Sequence, residues 1–211
     1  SYYGHDPIGE RNGLIYTCRG GIIDTAHVRD WADWTAWLYQ RIQQAFGSSV
    51  RIDLPPEAGT RYILLRRPPQ SLKAEDRRRL MRLLARHIAF ELSLWHEIVT
   101  WYDYSTLDLF PEKASAFSPE DLYSNLLGTE IGARALQMES GYDEAVTVEL
   151  RRRLRRLVAL PPARTRKVLQ LLDGIWWNSQ KSLPDMQLVT RRSIQTGPEI
   201  HPWTKPSREI S

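Results

Sequence analysis

The segment from Phe90 to Tyr102, FELSLWHEIVTWY, is apolar at most positions, yet it carries Glu91, Ser93, His96, Glu97 and Thr100. From Ile88 onward the apolar residues fall on nearly every side of a helical wheel, the mark of a helix surrounded by the rest of its domain. Ionisable side chains enter such surroundings only if they are paired, hydrogen-bonded or bound to a metal. An unpaired buried charge is destabilising by several kcal/mol or is neutralised by a pKa shift. The segment therefore demands a buried helix and makes that helix the expected seat of function.

The elements around it follow from turn and capping signals. Leu14 to Cys18 is a short apolar run stopped by Arg19-Gly20-Gly21, a strand ending in a turn. Asp24 then caps a helix whose Trp31, Trp34, Leu38, Ile42 and Ala45 recur at three-and-four spacing before Gly47. Val50 to Arg67 reads as a hairpin about Pro55-Pro56-Glu57-Ala58-Gly59. Ser71 is the expected cap of the long helix ending near Tyr102, with Leu80, Leu83 and Leu84 inward and the arginines outward. After an irregular stretch from Asp103 to Phe117, Ser118-Pro119-Glu120-Asp121 combines an N-cap, a first-turn proline and acids, opening a helix to about Met138. Gly128 and Gly132, one turn apart on it, allow a neighbouring backbone to come close. Helices over 143–159 and 163–177 follow, divided by Pro161-Pro162. The expected fold is mainly α, about five helices packed around the central buried one, with a small β-hairpin or sheet. Residues 1–211 form one expected domain, a body over 1–178 and an extended tail over 179–211 that packs on it through Leu188-Val189, Ile194 and Trp203.

Composition narrows the function classes. No run approaches the roughly 18 apolar residues of a membrane span, and SYYGHDPIGERNG is not a signal peptide, so a mature, soluble chain is expected. The 29 Lys and Arg against 25 Asp and Glu leave a net charge of +4. The basic residues run in two clusters, Arg77 to Arg86 and Arg151 to Lys167, interleaved with leucines. That pattern is a solvated helix face, with peripheral association at an anionic membrane as the sharper alternative; nucleic acid is not the expected partner. A single cysteine, Cys18, excludes an internal disulfide.

Three segments concentrate candidate ligands. Asp24-Thr-Ala-His27 places a carboxylate and an imidazole one turn apart. His96-Glu97 lies on the buried helix, and Asp121-Leu-Tyr-Ser-Asn125 puts an acid and an amide on a third. Imidazole and carboxylate from facing helices are the common ligands of zinc and of non-haem iron or manganese. The HExxH clamp is incomplete, because Thr100 stands where the second histidine belongs, so His27 is the natural supplier of another ligand. The expected site is thus His27 and His96 with Asp24 or Asp121 as metal ligands, possession of a divalent ion such as zinc, and Glu97 as the general base. Each residue also has a plainer reading: His96 a satisfied core histidine, Glu97 an ion pair with an arginine, Asp121 a helix cap. Cys18, ahead of two glycines, could act as a nucleophile but reads more simply as a small buried hydrophobe.

The segments GLIYTCRGGIIDTAHVRDWADWT, WHEIVTWY and SAFSPEDLYSNLLG, with GIWWNSQKSLPD and GPEIHPW, resemble an uncharacterised bacterial family, a domain of unknown function whose members are often exported or lipid-anchored. The resemblance implies a periplasmic or envelope location and transfers no activity. The leading expectation is a metal-dependent hydrolase of the cell envelope acting on a small-molecule or envelope-derived substrate. Its rival is a non-catalytic envelope protein in which the same His and Glu residues form a buried polar network that fixes helix packing. A hydrolase or acyltransferase using the Cys18 thiol is the minor third reading.

Overall fold

In the computed structural model, the described residues are 13–68, 72–102, 112–180, 188–195 and 199–204. The chain opens with an antiparallel hairpin, β1 (Leu14–Thr17) against β2 (Gly21–Asp24), in register Leu14↔Asp24 to Thr17↔Gly21. The sequence reading has only the first of these strands, because GIID is too short to display a period and merges into the helix start. The hairpin feeds directly into α1 (Thr25–Ala45), which Asp24 caps by accepting from Ala26 N at 2.7 Å. The second hairpin, β3 (Val50–Leu54) and β4 (Arg61–Leu65), is as expected. It turns its Ile63 and Leu65 toward α1 and α2 and leaves Tyr62 and Leu64 outside.

The long helix α2 spans Ala74–Trp101 and α3 spans Asp121–Ala135, with a single 3-10 turn at Glu112–Ala114 before it. Residues α4 (Tyr142–Arg156) and α5 (Pro162–Leu172) complete the helices. The five helices and small antiparallel sheets make a mainly α fold. The Ser71 cap lies outside the described residues, and Lys73 holds the N-cap position of α2. Along α2 the buried line is Met81, Ala85, Ala89, Ser93 and Glu97, whereas Leu80 and Leu83 are exposed and Trp95 and Ile98 face outward. The helix buried on nearly every side is α3, where even Ser124, Asn125 and Thr129 have no exposed surface.

The closest packing is α1 on α3. A Cβ on Gly128 would stand 2.5 Å from Val28 O, and one on Gly132 would stand 2.6 Å from Ala32 O, so the two backbones touch where the glycines permit it. Helix α5 stops at Leu172, short of the expected Trp177, because Asp173 turns extended and Gly174 takes φ +77°. Trp176 and Trp177 then close a second apolar cluster with Tyr16, Ile22, Val168 and Leu172. Among the described C-terminal residues, β6 (Leu188–Val189) pairs with β5 (Trp177–Asn178), and Trp203 packs on the same cluster. Ile194, expected to anchor it, is exposed. Among the described residues no helix is long and apolar enough to cross a membrane.

Candidate functional site

The first hairpin sets one wall of the site. Asp24 N–H donates to Ser124 Oγ at 3.0 Å, which ties the start of α1 to α3. One turn on, His27 has one ring edge open to solvent, while its Nδ1 is buried 3.3 Å from Asp121 Oδ1 without the geometry of a hydrogen bond. Burial works against the charged imidazole, but Asp24, then Asp121 and Glu97, outweigh it and hold the His27 pKa well above its ordinary value.

Asp121 is the first residue of α3, and its capping geometry is the reverse of the expected one. Ser118 does not cap with its oxygen; its N–H donates to Asp121 Oδ2 at 2.6 Å and its hydroxyl to Oδ1 at 2.9 Å. The helix consequently begins at Asp121, with Glu120 in the N-cap position. Phe117, just before, is a non-glycine residue at φ +55°, a conformation that is unfavourable by roughly 1–2 kcal/mol. That strained turn aims Phe117 N–H at Glu97 Oε2, 2.9 Å away, while Asn125 Nδ2 lies 3.3 Å from Oε1.

Glu97 is almost wholly buried. Desolvation, reinforced by the Asp121 charge, pushes its pKa up to about 8 against the relief given by His27 and the Phe117 N–H. Glu120, buried beside Asp121 and Asp24, is raised well above the carboxylate range for the same reasons. Asn125 Oδ1, Thr100 Oγ1 and Glu120 Oε2 are buried without hydrogen-bond partners among the described residues.

His96 sits next to Glu97 in sequence but leans the other way, its Nδ1 2.5 Å from Glu57 Oε1. Glu57 Oε2 in turn pairs with Arg61. The hydrogen bond to Glu57 raises the His96 pKa despite burial, and His96 and Arg61 together keep the Glu57 carboxyl below its usual range although desolvation opposes them. A ring nitrogen held by a carboxylate fixes the tautomer and leaves Nε2 to act on something else. His27, His96, Glu57 and Arg61 all border one cleft of about 560 Å³, walled along α1 by Trp31, Trp34 and Trp37.

Asp24, His27, Glu97 and Asp121 are therefore neighbours, and His96 is near enough to sense both Glu97 and His27. Among the described residues, no three His, Cys, Asp or Glu side chains stand together as a ready-made metal site. Sequence reasoning misses Glu57 and Arg61, which come from a hairpin 39 and 35 positions before His96; the only hint is an acid buried in a proline-flanked turn. Asn125 is legible as one turn from Asp121. Cys18 is exposed at the turn end of the first hairpin, about 10 Å of strand from Asp24, and is not a buried hydrophobe.

Over residues 5–206 the chain matches the family described as "Protein of unknown function (DUF4056)", and it belongs to that family. No curated protein and no solved structure matches it.

Proposed function

We propose that this cleft is the active site of a metal-dependent hydrolase. One observation carries the reading: His27 Nδ1 is buried, lacks a hydrogen bond and stands 3.3 Å from Asp121 Oδ1. Two ligands on a tetrahedral zinc, each about 2.0–2.1 Å from it, are about 3.3 Å apart, so the pair has the spacing of one edge of such a site. Asp24 and His96, each near enough to His27 to interact with its charge, are the candidates for further ligands, and the surrounding excess of buried carboxylates favours a cation. A divalent ion held there supplies Lewis-acid activation of water or of a substrate carbonyl or phosphoryl oxygen.

The protein's own part is proton handling and positioning. Glu97, poised near neutral pH, accepts a proton in its ionised form and returns it to a leaving group. Phe117 N–H and Asn125 hold the carboxylate in place, and the tryptophans on α1 bind the apolar part of the substrate. An envelope-derived substrate is proposed from the family resemblance.

Untagged protein dialysed against zinc is expected to retain about one ion per chain by elemental analysis, and His27→Ala to retain less than a tenth of that. Hydrolysis of p-nitrophenyl acetate or bis-p-nitrophenyl phosphate should be abolished by chelator and by Glu97→Gln. Zinc-free wild-type protein after dialysis would overturn the metal reading.

The satisfied chain Arg61–Glu57–His96 favours a second reading, a non-catalytic protein of the envelope with a structural polar network. It predicts that no ion is bound, that neither ester is hydrolysed above background, and that Glu57→Gln lowers stability.

A further inference from the structure

A second cleft of about 410 Å³ lies on the far side of α2, between it and α3, lined by Arg79, Arg82, Arg86 and Arg134 with Glu130 and Leu83. Glu130 is already engaged, 3.6 Å from Arg86 and 2.9 Å from Arg153. Arg79, Arg82 and Arg134 have no carboxylate partner among the described residues. Guanidiniums crowded around a concavity with one neutralised acid repel one another unless an anion sits among them, and their planar donor forks match phosphate oxygens.

The apolar side chains beside them narrow the source of that phosphate. Leu83, on the cleft wall, is 50% exposed, and Leu80, further round the same outer face, is 40% exposed. On a helix, residues 79, 82, 83 and 86 share one stripe. Arginines interleaved with protruding leucines suit a membrane interface, where headgroups meet the cations and acyl chains meet the apolar tips. A free phosphate would use the guanidiniums and leave the leucines unemployed. We propose that this face of α2 docks on an anionic phospholipid surface, with a headgroup phosphate seated in the cleft between Arg79, Arg82, Arg86 and Arg134. The proposal is independent of the hydrolase reading, since the cleft shares no residue with the site around His27.

The test is co-sedimentation of the full chain with vesicles of phosphatidylglycerol in phosphatidylcholine, against phosphatidylcholine alone. Binding to the anionic vesicles should be at least tenfold tighter and should weaken with salt. Arg82→Gln and Arg134→Gln should each weaken it about fivefold, from the worth of one basic residue near such a surface. Leu83→Asp should weaken it too. Arg155→Gln with Arg156→Gln, which removes two charges on α4 where each cleft variant removes one, should leave it unchanged, and thermal melts establish that each variant is folded. Equal binding to both vesicle types, or equal loss from the α4 pair, overturns the proposal. So does binding of inorganic phosphate by calorimetry without vesicle binding, or a preference for duplex DNA over vesicles.

Discussion

Gly128→Ala is the sharpest test of how α1 and α3 create the site. In an exposed helix interior this change stabilises by about 1 kcal/mol, because alanine loses less backbone entropy. Here the added methyl would stand 2.5 Å from Val28 O, 3.0 Å from Val28 Cα and 3.1 Å from Trp31 Cβ. Two of those atoms are backbone and cannot rotate away. Bringing 2.5 Å to the 3.0 Å floor of real Cβ contacts requires the helices to part by about 0.5 Å, in an interior with few voids to absorb it. Overpacking of this kind destabilises by about 1–3 kcal/mol, so after the propensity gain the net loss is up to about 2 kcal/mol. For a chain of this length that lowers Tm by up to roughly 8 °C. Val28 follows His27, so the same movement should stretch the 3.3 Å approach of His27 to Asp121 and weaken retention of the proposed zinc ion. Urea unfolding measures the first effect and elemental analysis the second. If Gly128→Ala raises stability, the backbone contact is wrong, and the reasoning about the site geometry goes with it.

Glu97 carries a folded pKa above its unfolded one, so in chelator the folded protein holds a proton that the unfolded chain releases. Stability should therefore fall as pH rises from about 4.5 to about 8. His27 adds the same sign, its contribution being full below its unfolded pKa and lost as pH rises through the raised folded value. Glu97→Gln should flatten this decline, and Asn125 can turn its unpartnered Oδ1 toward the new amide; parallel pH–stability curves for the two proteins would refute the assignment. Glu57→Gln should lower the His96 titration midpoint seen by NMR, because the hydrogen bond that His96 donates to Glu57 is the main cause of its elevation, and an unmoved midpoint would exclude the pairing. Ser118→Ala removes one of two donors to a buried carboxylate and should destabilise by about 1–2 kcal/mol in urea melts, an effect absent if Asp121 is solvated.

Local chemistry carried much of the architecture into view. Asp24 caps α1, Gly128 and Gly132 admit a neighbouring backbone, and the Pro55–Gly59 turn joins two strands; each depends on residues a few positions apart. The site divides along the same line. Asp24 with His27 is visible as one helical turn, whereas Glu57 with His96 is a contact across 39 positions that no periodicity encodes. Ser118 misleads because the capping signal is symmetric: serine and aspartate three residues apart can satisfy each other in either direction, and the strained Phe117 decides which. Leu80 and Leu83 mislead because leucine is read as inward, while α2 buries the smaller Ala85, Ala89 and Ser93 against its neighbours.

Arg192 lies over the Trp101 ring and donates to the carbonyls of Lys113 and Ala116, while Ser193 N–H donates to Phe117 O at 2.8 Å. The turn that offers Phe117 N–H to Glu97 is thus buttoned down by residues 75 and 76 positions later. On the ribosome, α1, α2 and α3 can meet as soon as they emerge, but Glu97 lacks its clamp until the chain beyond Arg192 has been made. The turn that clamps the carboxylate is therefore braced only after Ser193 has been made, and a chain truncated before Arg192 should fold its helices while its Phe117 N–H is held less firmly against Glu97.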